Sequence, residues 1–399
     1  MIYLILQILK SLETSSIYPF EVFAAFTWTM WLPRIYFARK YKSHTPDYRT
    51  NATAVVPVLN EEPKLFRKCM ESLFKSLSHG TNEFEIIVAI DGEDSPQKRR
   101  LIKIAKEFAD KIITLNNKNK RMALAESIKQ AKHDIIISVD SDTVFEKKTV
   151  YELLKPFQYK DIGGVTTHQR IYKPRTIVQK IADWFEDARL HSSLPAMSYF
   201  GSVGCMPGRA IAFRKRIFLK HINEFINDWF MSRKCIIGDD RAITNYILKD
   251  GYKTIYQRTA RVWTQAPETL SKWTKQQIRW GRSSQRETIR NIKWLIKKKF
   301  TSFVYITDLL LPIFFAFIVL NWAFRILMGM PIINIPLHLS IIIALTGMNL
   351  VIGIRQIPHL KSNLKDIKLL PIFTIMATYL LLIRFYALLT INKGGWLTR

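Results

Sequence analysis

The stretch DIIISVDSDT, residues 134–143, places a run of apolar residues directly before two aspartates, Asp140 and Asp142. An apolar run of this length, bounded by polar residues, is typical of a buried β-strand. Further candidate strands lie at Thr53–Leu59, Phe84–Ile90, Ile112–Leu115 and Gly163–Thr167, and helical patterns begin near Glu62, Gln97, Arg121 and Lys147. Strands that alternate with helices predict an α/β domain with a parallel sheet and crossover helices.

Acidic residues follow several of these strands and predict a binding site. Asn60-Glu61-Glu62 follows the first strand, Asp91 the second, and Asp140 and Asp142 the fourth. In open α/β sheets, ligands bind beyond the carboxyl ends of the strands. Two carboxylates at the end of a buried strand favour a hard divalent cation that shares its oxygen ligands with substrate phosphates, although two acids in a turn also occur in solvated loops.

Basic residues precede the third predicted helix. Lys118, Lys120 and Arg121 lie where cationic side chains and free backbone amides together favour phosphate, and a solvated basic turn is the alternative. The sequence has neither a GxxxxGK[ST] loop nor a GxGxxG after a strand. A P-loop ATPase and a Rossmann-type dinucleotide enzyme are therefore disfavoured.

The charge and the cysteine content indicate the classes of binding partner and the cellular environment. Among 399 residues, 60 Lys and Arg against 32 Asp and Glu give a net charge of +28. Such an excess favours nucleic acid, an anionic lipid surface or phosphate-bearing substrates, and part of it can simply hold the chain against an anionic membrane. The cysteines, Cys69, Cys205 and Cys235, are odd in number and lack metal-binding spacing, which favours a reducing, cytosolic environment.

Apolar segments at both ends of the chain predict membrane helices. Candidate spans are Tyr18–Phe37, Phe303–Leu320, Ile332–Ile354 and Leu369–Ile391, at least two of the last three being expected to cross. Arg39, Lys40 and Lys42 follow the first span and predict a cytosolic domain, as Arg355, Lys361, Lys365 and Lys368 predict a cytosolic loop. Asp308 and Arg384 lie inside apolar segments, so each needs a polar path, such as a translocation channel, or a partner.

Two motifs occur in the second half of the chain. GDDR spans Gly238–Arg241, and KQQIRWGR spans Lys275–Arg282 in a helical context. Spacings of three and four place Gln276, Arg279 and Trp280 on neighbouring positions of a helix. Each motif alone says little, because acidic turns and basic amphipathic helices are common.

The order DSD, GDD, QxxRW and then membrane spans resembles the processive family 2 glycosyltransferases, with hyaluronan synthases and nodulation-type chitin synthases the nearest members. VVPVLNEEP, IDGEDS, NKNKRMAL, SVDSDT, GCMPGRAIAFRK, GDDRAITN and QQIRWGRSSQRE follow in family order. The resemblance implies a catalytic domain of α/β GT-A type, a Rossmann-like mixed sheet, with α-helical transmembrane and interfacial helices. It divides the chain into a membrane segment (1–45), a cytosolic transferase domain (46–268), amphipathic interfacial helices (269–300) and C-terminal membrane helices with a WLTR tail (301–399).

The resemblance also implies a role for each matched residue. Asp240 would be the general base, Asp91 would recognise a uracil-type base, and Asp140 and Asp142 would hold a Mg or Mn ion. The donor-binding residues implied are Asn60, Glu61, Asp91, Lys120, Arg121, Asp140, Gln276, Arg279, Trp280, Trp396 and Arg399. The acceptor-binding residues implied are Cys205, Asp239, Arg241 and Trp280. The WLTR tail departs from the family's WGTR, and three crossings after the domain would leave that tail on the far side of the membrane from the nucleotide.

The expected activity is processive, inverting transfer from a UDP-sugar, UDP-GlcNAc with or without UDP-GlcA, to a growing polysaccharide such as hyaluronan. The alternative is a non-processive transferase that moves one sugar to a polyprenyl phosphate or glycolipid, and the QxxRW motif favours the polymerase. A membrane-anchored binding protein for nucleic acid or anionic lipid leaves the strand-end acids unexplained, because carboxylates repel such partners. We expect a multi-pass protein of the cell membrane. Polymer synthesis is either coupled to export across the membrane or not, and the protein is either a monomer or a homodimer.

Overall fold

The computed structural model describes residues 18–116, 119–328, 346–347 and 349–393. The α-helices include α1 (Tyr18–Lys40), α2 (Pro63–Gly80), α3 (Pro96–Ala105), α4 (Lys120–Gln130), α5 (Thr149–Leu154), α6 (Ile177–His191), α7 (Ser193–Tyr199), α8 (Lys215–Lys220), α9 (Ile222–Ile226), α10 (Asp239–Lys249), α11 (Leu270–Leu295), α12 (Lys299–Leu327), α13 (Ile357–Ser362) and α14 (Leu370–Leu389). The strands are β1 (Ala52–Val58), β2 (Phe84–Ile90), β3 (Lys111–Thr114), β4 (Ile135–Val139), β5 (Val144–Phe145), β6 (Ile162–Ile171), β7 (Ala210–Arg214), β8 (Trp229–Phe230), β9 (Arg233–Lys234) and β10 (Lys253–Thr264).

An eight-stranded mixed sheet in the order β3-β2-β1-β4-β7-β6-β10-β5 forms the centre of the molecule. Strands β3, β2, β1 and β4 are parallel, and β7 runs antiparallel between β4 and β6. The five predicted strands are confirmed, and the predicted helix starts lie within two residues of those observed. Strand β7 makes the sheet mixed, whereas the sequence pattern over the first half predicted parallel pairing alone.

The sheet is buried on both faces because its central strands are apolar throughout. Every residue of β1 and β4 is buried. Alternate β4 residues pack into different clusters: Ile135, Ile137 and Val139 belong to a cluster with α2, and Ile136 belongs to one with α4 and α8. Side chains of a strand point alternately to its two faces, so a continuous apolar run fits a strand covered on both sides.

Two helices of the described residues are long and apolar enough to cross a membrane, Lys299–Phe324 and Leu364–Leu389. They contain the predicted segments Phe303–Leu320 and most of Leu369–Ile391. Large apolar side chains such as Phe317 and Leu320 are exposed on them. The predicted segment Tyr18–Phe37 lies within helix α1, and most of Ile332–Ile354 lies outside the described residues.

The segment that carries QxxRW is one continuous amphipathic helix, α11, of 26 residues. Its N-cap is Thr269, whose side chain accepts a hydrogen bond from the backbone N–H of Lys272. The helix packs against α14, and Gly281 lies so close to Ala387 that an added Cβ would be 2.9 Å from the alanine Cβ. Helix α11 therefore connects the sheet domain to the apolar helices.

A buried histidine joins the sheet domain to the segment before α14. His359 is 2% exposed, and its Nδ1 and Nε2 lie 2.8 Å from Asp187 Oδ2 and 3.1 Å from Asp366 Oδ2. The Trp184 ring of α6 stacks on the imidazole at 4.5 Å, and its Nε1–H donates to Gln356 Oε1. The segment with Arg355, Lys361, Lys365 and Lys368 was predicted to lie on the same side of the membrane as the catalytic domain. Through His359 it contacts that domain directly.

Candidate active site

A cavity of about 720 Å³ lies between the carboxyl ends of the strands and the helices α6, α11, α12 and α14. It brings together most of the residues predicted from the sequence. Those that line it are Glu61, Lys120, Asp140, Asp142, Cys205, Asp239, Asp240, Arg241, Gln276, Arg279 and Trp280. Asn60, Asp91 and Arg121 do not line it, and Trp396 and Arg399 lie outside the described residues.

Asp140 and Asp142 occupy the turn that follows β4. The backbone N–H of Asp140 donates to Arg209 O at 2.9 Å, and Thr264 Oγ1 donates to Asp142 Oδ1 at 3.2 Å. Burial, followed by the nearby charges of Asp140 and Glu61, raises the pKa of Asp142 to about 7. The turn therefore concentrates negative charge where little solvent screens it.

These two carboxylates suit a divalent cation that also binds the substrate. Within the described ranges, no three His, Cys, Asp or Glu side chains converge closely enough to hold a metal alone. Hard cations such as Mg²⁺ are commonly bound by one or two carboxylates together with substrate phosphates and water. The pKa of Asp142 stays raised even though the charge of Arg209 lowers it, so burial and the neighbouring carboxylates dominate at this position.

Lys120 and Arg121 are adjacent in sequence but face different surroundings. The Lys120 ammonium contacts Asp140 Oδ1 at 2.7 Å and Asp239 Oδ2 at 2.9 Å, so it connects the DSD turn to the GDD turn. Arg121 is 1% exposed and pairs with Asp228 at 2.7 Å beneath α9. Lys120 is therefore the one of the two positioned to meet a phosphate in the cavity.

Asp91 organises the backbone beside the site. Its Oδ1 accepts from Gly92 N at 2.8 Å, and its Oδ2 accepts from Asn119 N at 2.8 Å. Asn119 is the N-cap of α4, and its side chain accepts from Arg121 N. Asp91 thus ties the end of β2 to the beginning of the helix that carries Lys120.

The GDD turn places Asp240 against a loop that precedes β7. Asp240 Oδ2 accepts from Gly208 N at 3.1 Å, and its Oδ1 accepts from Arg241 N at 2.7 Å. Burial, followed by the charge of Asp239, raises the pKa of Asp240. Gly238 has φ +84°, and an added Cβ would lie 2.0 Å from Ser283 Oγ, so only glycine allows α11 to approach this closely.

The other residues near Asp240 are held by charge and packing. Burial disfavours ionisation of Asp239, but the charge and hydrogen bond of Lys120, together with the charge of Arg121, outweigh it and lower the Asp239 pKa. Burial, then the Asp240 charge, raises the pKa of Cys205 to about 12, so its thiol stays protonated. The Arg241 guanidinium lies 3.7 Å from the centre of the Tyr305 ring. Tyr305 belongs to α12 and closes over Gly204, where an added Cβ would be 2.0 Å from the ring.

Trp280 lies on the wall opposite the strand ends, with Gln276 and Arg279 on the same helix. It is 36% exposed, and the Arg209 guanidinium lies 5.8 Å from its ring centre. Arg209 in turn pairs with Glu186 of α6 at 2.8 Å. Neither Arg209 nor Glu186 was predicted as a site residue: Arg209 lies in the quoted stretch GCMPGRAIAFRK but was given no role, and nothing around Glu186 indicated this contact.

The inner end of the cavity reaches the apolar helices and is rich in arginine. Arg34 of α1 pairs with Asp308 of α12 at 2.8 Å, so Asp308 has a partner as expected for a charge in an apolar segment. Arg189, Arg355 and Arg384 also line this end. Among the residues that the structure describes, none forms an ion pair with Arg384, which faces the cavity.

A GT-A sheet whose strand-end carboxylates, basic side chain and buried aspartate share one cavity defines a glycosyltransferase. The chain belongs to the glycosyltransferase like family 2, whose model matches residues 50–283. It is 26% identical to a hyaluronan synthase of Streptococcus pyogenes over 90% of this chain and 85% of that protein. It is 28% identical to an N-acetylglucosaminyltransferase of Azorhizobium caulinodans over 86% of each protein.

The fold has a counterpart among solved structures. The mannosyltransferase PcManGT from Pyrobaculum calidifontis, in complex with GDP-Man and Mn²⁺, superposes with a TM-score of 0.63 at 16% identity. The alignment covers 90% of this chain and 98% of PcManGT. At this identity the likeness establishes the fold, and the GT-A prediction is confirmed.

Proposed function

We propose that the protein polymerises sugar from UDP-sugar donors into a polysaccharide, one inverting transfer at a time. The observation that carries this proposal is that Asp240, the DSD carboxylates and Trp280 line one cavity. A transferase needs a base, a site for a diphosphate and a surface for the acceptor sugar, and this cavity has a group suited to each. The relatedness to a hyaluronan synthase and an N-acetylglucosaminyltransferase supports a polysaccharide product.

The donor occupies the strand side of the cavity in this proposal. Asp140 and Asp142 would hold the divalent ion, and the Lys120 ammonium would bind the diphosphate. When bound, a Mg or Mn ion supplies positive charge that stabilises the leaving diphosphate. Asp91 and Glu61 help to shape the nucleotide end, with Asn60 exposed at its rim.

Asp240 acts as the general base. It takes the proton from the acceptor hydroxyl as that oxygen bonds to the anomeric carbon and the bond from this carbon to the diphosphate oxygen breaks. A carboxylate whose pKa is raised by burial is a stronger base than one in water, while the Gly208 N–H and Arg241 N–H keep it oriented. The single displacement inverts the configuration and needs no covalent intermediate, so the protonated Cys205 thiol has no nucleophilic role.

The acceptor lies along α11 and points its terminal hydroxyl toward Asp240. Trp280 offers a flat apolar face to a sugar ring, and Gln276 and Arg279 add hydrogen-bond donors on the same helix. The contacts of Asp239 and Arg241 support this terminus from the other side. Repeated use of the same wall after each addition is what makes the enzyme processive in this proposal.

The chain is anchored in a membrane with its catalytic domain in the cytosol. The two apolar helices support the anchor, and the basic residues that flank the apolar segments support the orientation. We keep the division into 1–45, 46–268, 269–300 and 301–399, and the multi-pass topology, as part of the proposal. Trp396 and Arg399 are proposed to close over the donor only if the last apolar segment does not fully cross.

A specific observation favours a second candidate, transfer of one sugar to a lipid-linked phosphate. Arg384 faces the inner cavity without an ion-pair partner among the described residues, beside Arg34, Arg189 and Arg355. Guanidinium groups recognise phosphate well, and this cluster lies at the level of the apolar helices. A polyprenyl phosphate could place its head group there.

One experiment separates the two candidates. Purified protein with Mg²⁺ or Mn²⁺ is given UDP-GlcNAc, UDP-GlcA, both together, or UDP-glucose, and UDP release and product size are measured. Product of high mass identifies a polymerase, and the donor requirement identifies the sugars. UDP release that depends on added polyprenyl phosphate, with no polymer, identifies the second candidate. No UDP release with any donor or acceptor would contradict both.

A further inference from the structure

Arg209 is the first residue after the glycine that contacts Asp240, and its side chain is fixed from two directions. One guanidinium nitrogen lies 2.8 Å from Glu186 Oε1 and another lies 3.3 Å from Gln169 Oε1. The side chains of Arg209 and Glu186 are 12% and 9% exposed. Because the guanidinium is planar and its donors have fixed directions, two such partners leave it little freedom to swing.

The guanidinium held in this way lies over Trp280. Its central carbon is 5.8 Å from the centre of the indole ring, within the range of a cation–π contact. Trp280 lines the cavity and is 36% exposed, so packing does not enclose it fully. Among the described residues, Arg209 is the cation that contacts this indole.

The backbone of the same residue holds the donor side. The Arg209 carbonyl accepts from Asp140 N at 2.9 Å and from Thr143 Oγ1 at 3.1 Å. Gly208, directly before it, donates to the Asp240 carboxylate. A single dipeptide therefore contacts the metal-side turn, the proposed base and the proposed acceptor wall.

Glu186 keeps the Arg209 charge in place. Burial opposes ionisation of Glu186, but Arg209 and Arg189 outweigh it, and its pKa is lowered. The pair stays ionised in a poorly solvated setting, where a guanidinium without a counter-charge would be costly. Loss of Glu186 should therefore release Arg209 from its position above the indole.

We propose that Arg209 is a positioning residue for the acceptor: it fixes the Trp280 indole so that the sugar stacked there presents its hydroxyl to Asp240. This rests on the proposed acceptor role of Trp280. The backbone contacts of Arg209 do not depend on its side chain, so the side chain can be changed without removing the hydrogen bonds to Asp140 and Thr143.

The test measures acceptor and donor kinetics separately in R209Q, R209K, E186Q, W280A and R209Q/W280A. R209Q should raise the acceptor KM roughly tenfold and lower kcat less, with UDP affinity and acceptor-independent UDP release unchanged. R209K should restore part of the loss, because it keeps the charge but not the forked geometry. E186Q should shift the acceptor KM in the same direction. R99Q, which removes an arginine from an exposed pair, controls for the change in net charge.

The double variant decides whether Arg209 acts through Trp280. If it does, R209Q/W280A has the same acceptor KM as W280A alone, since residues that act as a unit are not additive. Independent, additive losses would overturn the inference, as would an R209Q variant that loses UDP affinity together with acceptor affinity. If W280A leaves the acceptor kinetics unchanged, the proposed acceptor role of Trp280 is wrong. If W280A impairs acceptor use but R209Q does not, only the inference about Arg209 is wrong.

Discussion

The strand side and the inner helix side of the cavity carry opposite charge. Glu61, Asp140 and Asp142 make the strand side acidic, with Lys120 as the basic group between the two acidic turns. The inner helix side carries the arginines Arg34, Arg189, Arg355 and Arg384, with Asp308 and Glu186 as their carboxylate partners. One side is suited to an added cation, and the other is suited to an added anion.

The two sides also differ in how their groups are held. The strand-side acids follow β4 and begin α10, so backbone hydrogen bonds fix them over short stretches of chain. The inner arginines come from segments far apart in sequence, and Arg34 and Arg355 are fixed by side-chain contacts with Asp308 and Thr27. A change on the strand side should therefore act on the chemical step, and a change on the helix side should act on acceptor binding and on packing.

The largest effect should come from D240N. Asparagine keeps the size of the side chain but removes the base, so we expect polymer formation to fall by about 1,000-fold or more, with UDP affinity changed less than about twofold. Rates of UDP release and calorimetric titration with UDP check this. D250N, at the other end of the same helix, is the matched control, and turnover by D240N near the wild-type rate would remove Asp240 as the base.

D142N should have the next largest effect. It halves the carboxylates of the proposed cation site, so activity should fall about 100-fold at low Mn²⁺ and recover partly as Mn²⁺ is raised. Chelation with EDTA should abolish activity in the wild type and allow recovery on adding Mn²⁺ or Mg²⁺. D94N, in an exposed pair, is the control. Full activity after complete chelation would contradict the cation site.

W280A tests the acceptor wall at the boundary between the two sides. Loss of an aromatic face for a sugar ring should raise the acceptor KM by roughly 10-fold to 30-fold and shorten the product, while UDP affinity stays unchanged. W229A, which removes an exposed tryptophan of the β8–β9 hairpin, is the control. Product length on a gel checks this prediction, and unchanged elongation would contradict it.

R384Q tests the inner helix side. Because Arg384 has no ion-pair partner among the described residues, its loss should change stability little, by about 0.5 kcal/mol. It should raise the acceptor KM about fivefold if the acceptor carries an anionic group there. R216Q, at the surface, is the control. The acceptor KM of R384Q is measured with an anionic and with a neutral acceptor. Equal changes in KM for the two acceptors would contradict an anionic contact at Arg384.

H359Q should have the smallest effect on chemistry. A neutral amide cannot replace a ring that contacts two carboxylates, so the free energy of unfolding should fall by about 1–3 kcal/mol while kcat of the folded enzyme changes less than about twofold. Thermal unfolding in detergent checks this, with H79Q as the control. A large loss of kcat at full stability would instead make the His359 contact part of the chemical machinery.

The strand side could be predicted from the sequence in detail, whereas for the inner helix side the sequence predicted only that Asp308 and Arg384 need a polar path or a partner. The DSD acids come directly after the apolar run of β4, so their position follows from the strand that precedes them. Lys120 and Arg121 show the limit of this reasoning. Both were candidates for phosphate, and only the position at which α4 begins, after the N-cap Asn119, sends one into the cavity and the other under α9.

Arg209 and Glu186 had no signal of this kind, whereas Arg384 was noticed only as a charge inside an apolar segment. Arg209 and Glu186 act through each other, and the spacing between them has no helical or strand periodicity. Strand β7, AIAFR, was also missed, because a short apolar run is not distinguishable from a buried turn of helix by periodicity alone. These features depend on tertiary packing.

The contact between Tyr305 and Gly204 bears on how such transferases can be divided and recombined. The tyrosine of the apolar helix forms part of the wall beside Asp240, and Ser202 Oγ and Thr301 Oγ1 are hydrogen-bonded across the same seam at 2.7 Å. A water-soluble fragment cut before α12 would lose this wall and expose Val203 and Met206 to solvent. Chimeras that exchange catalytic domains between relatives should therefore exchange α12 together with the catalytic domain.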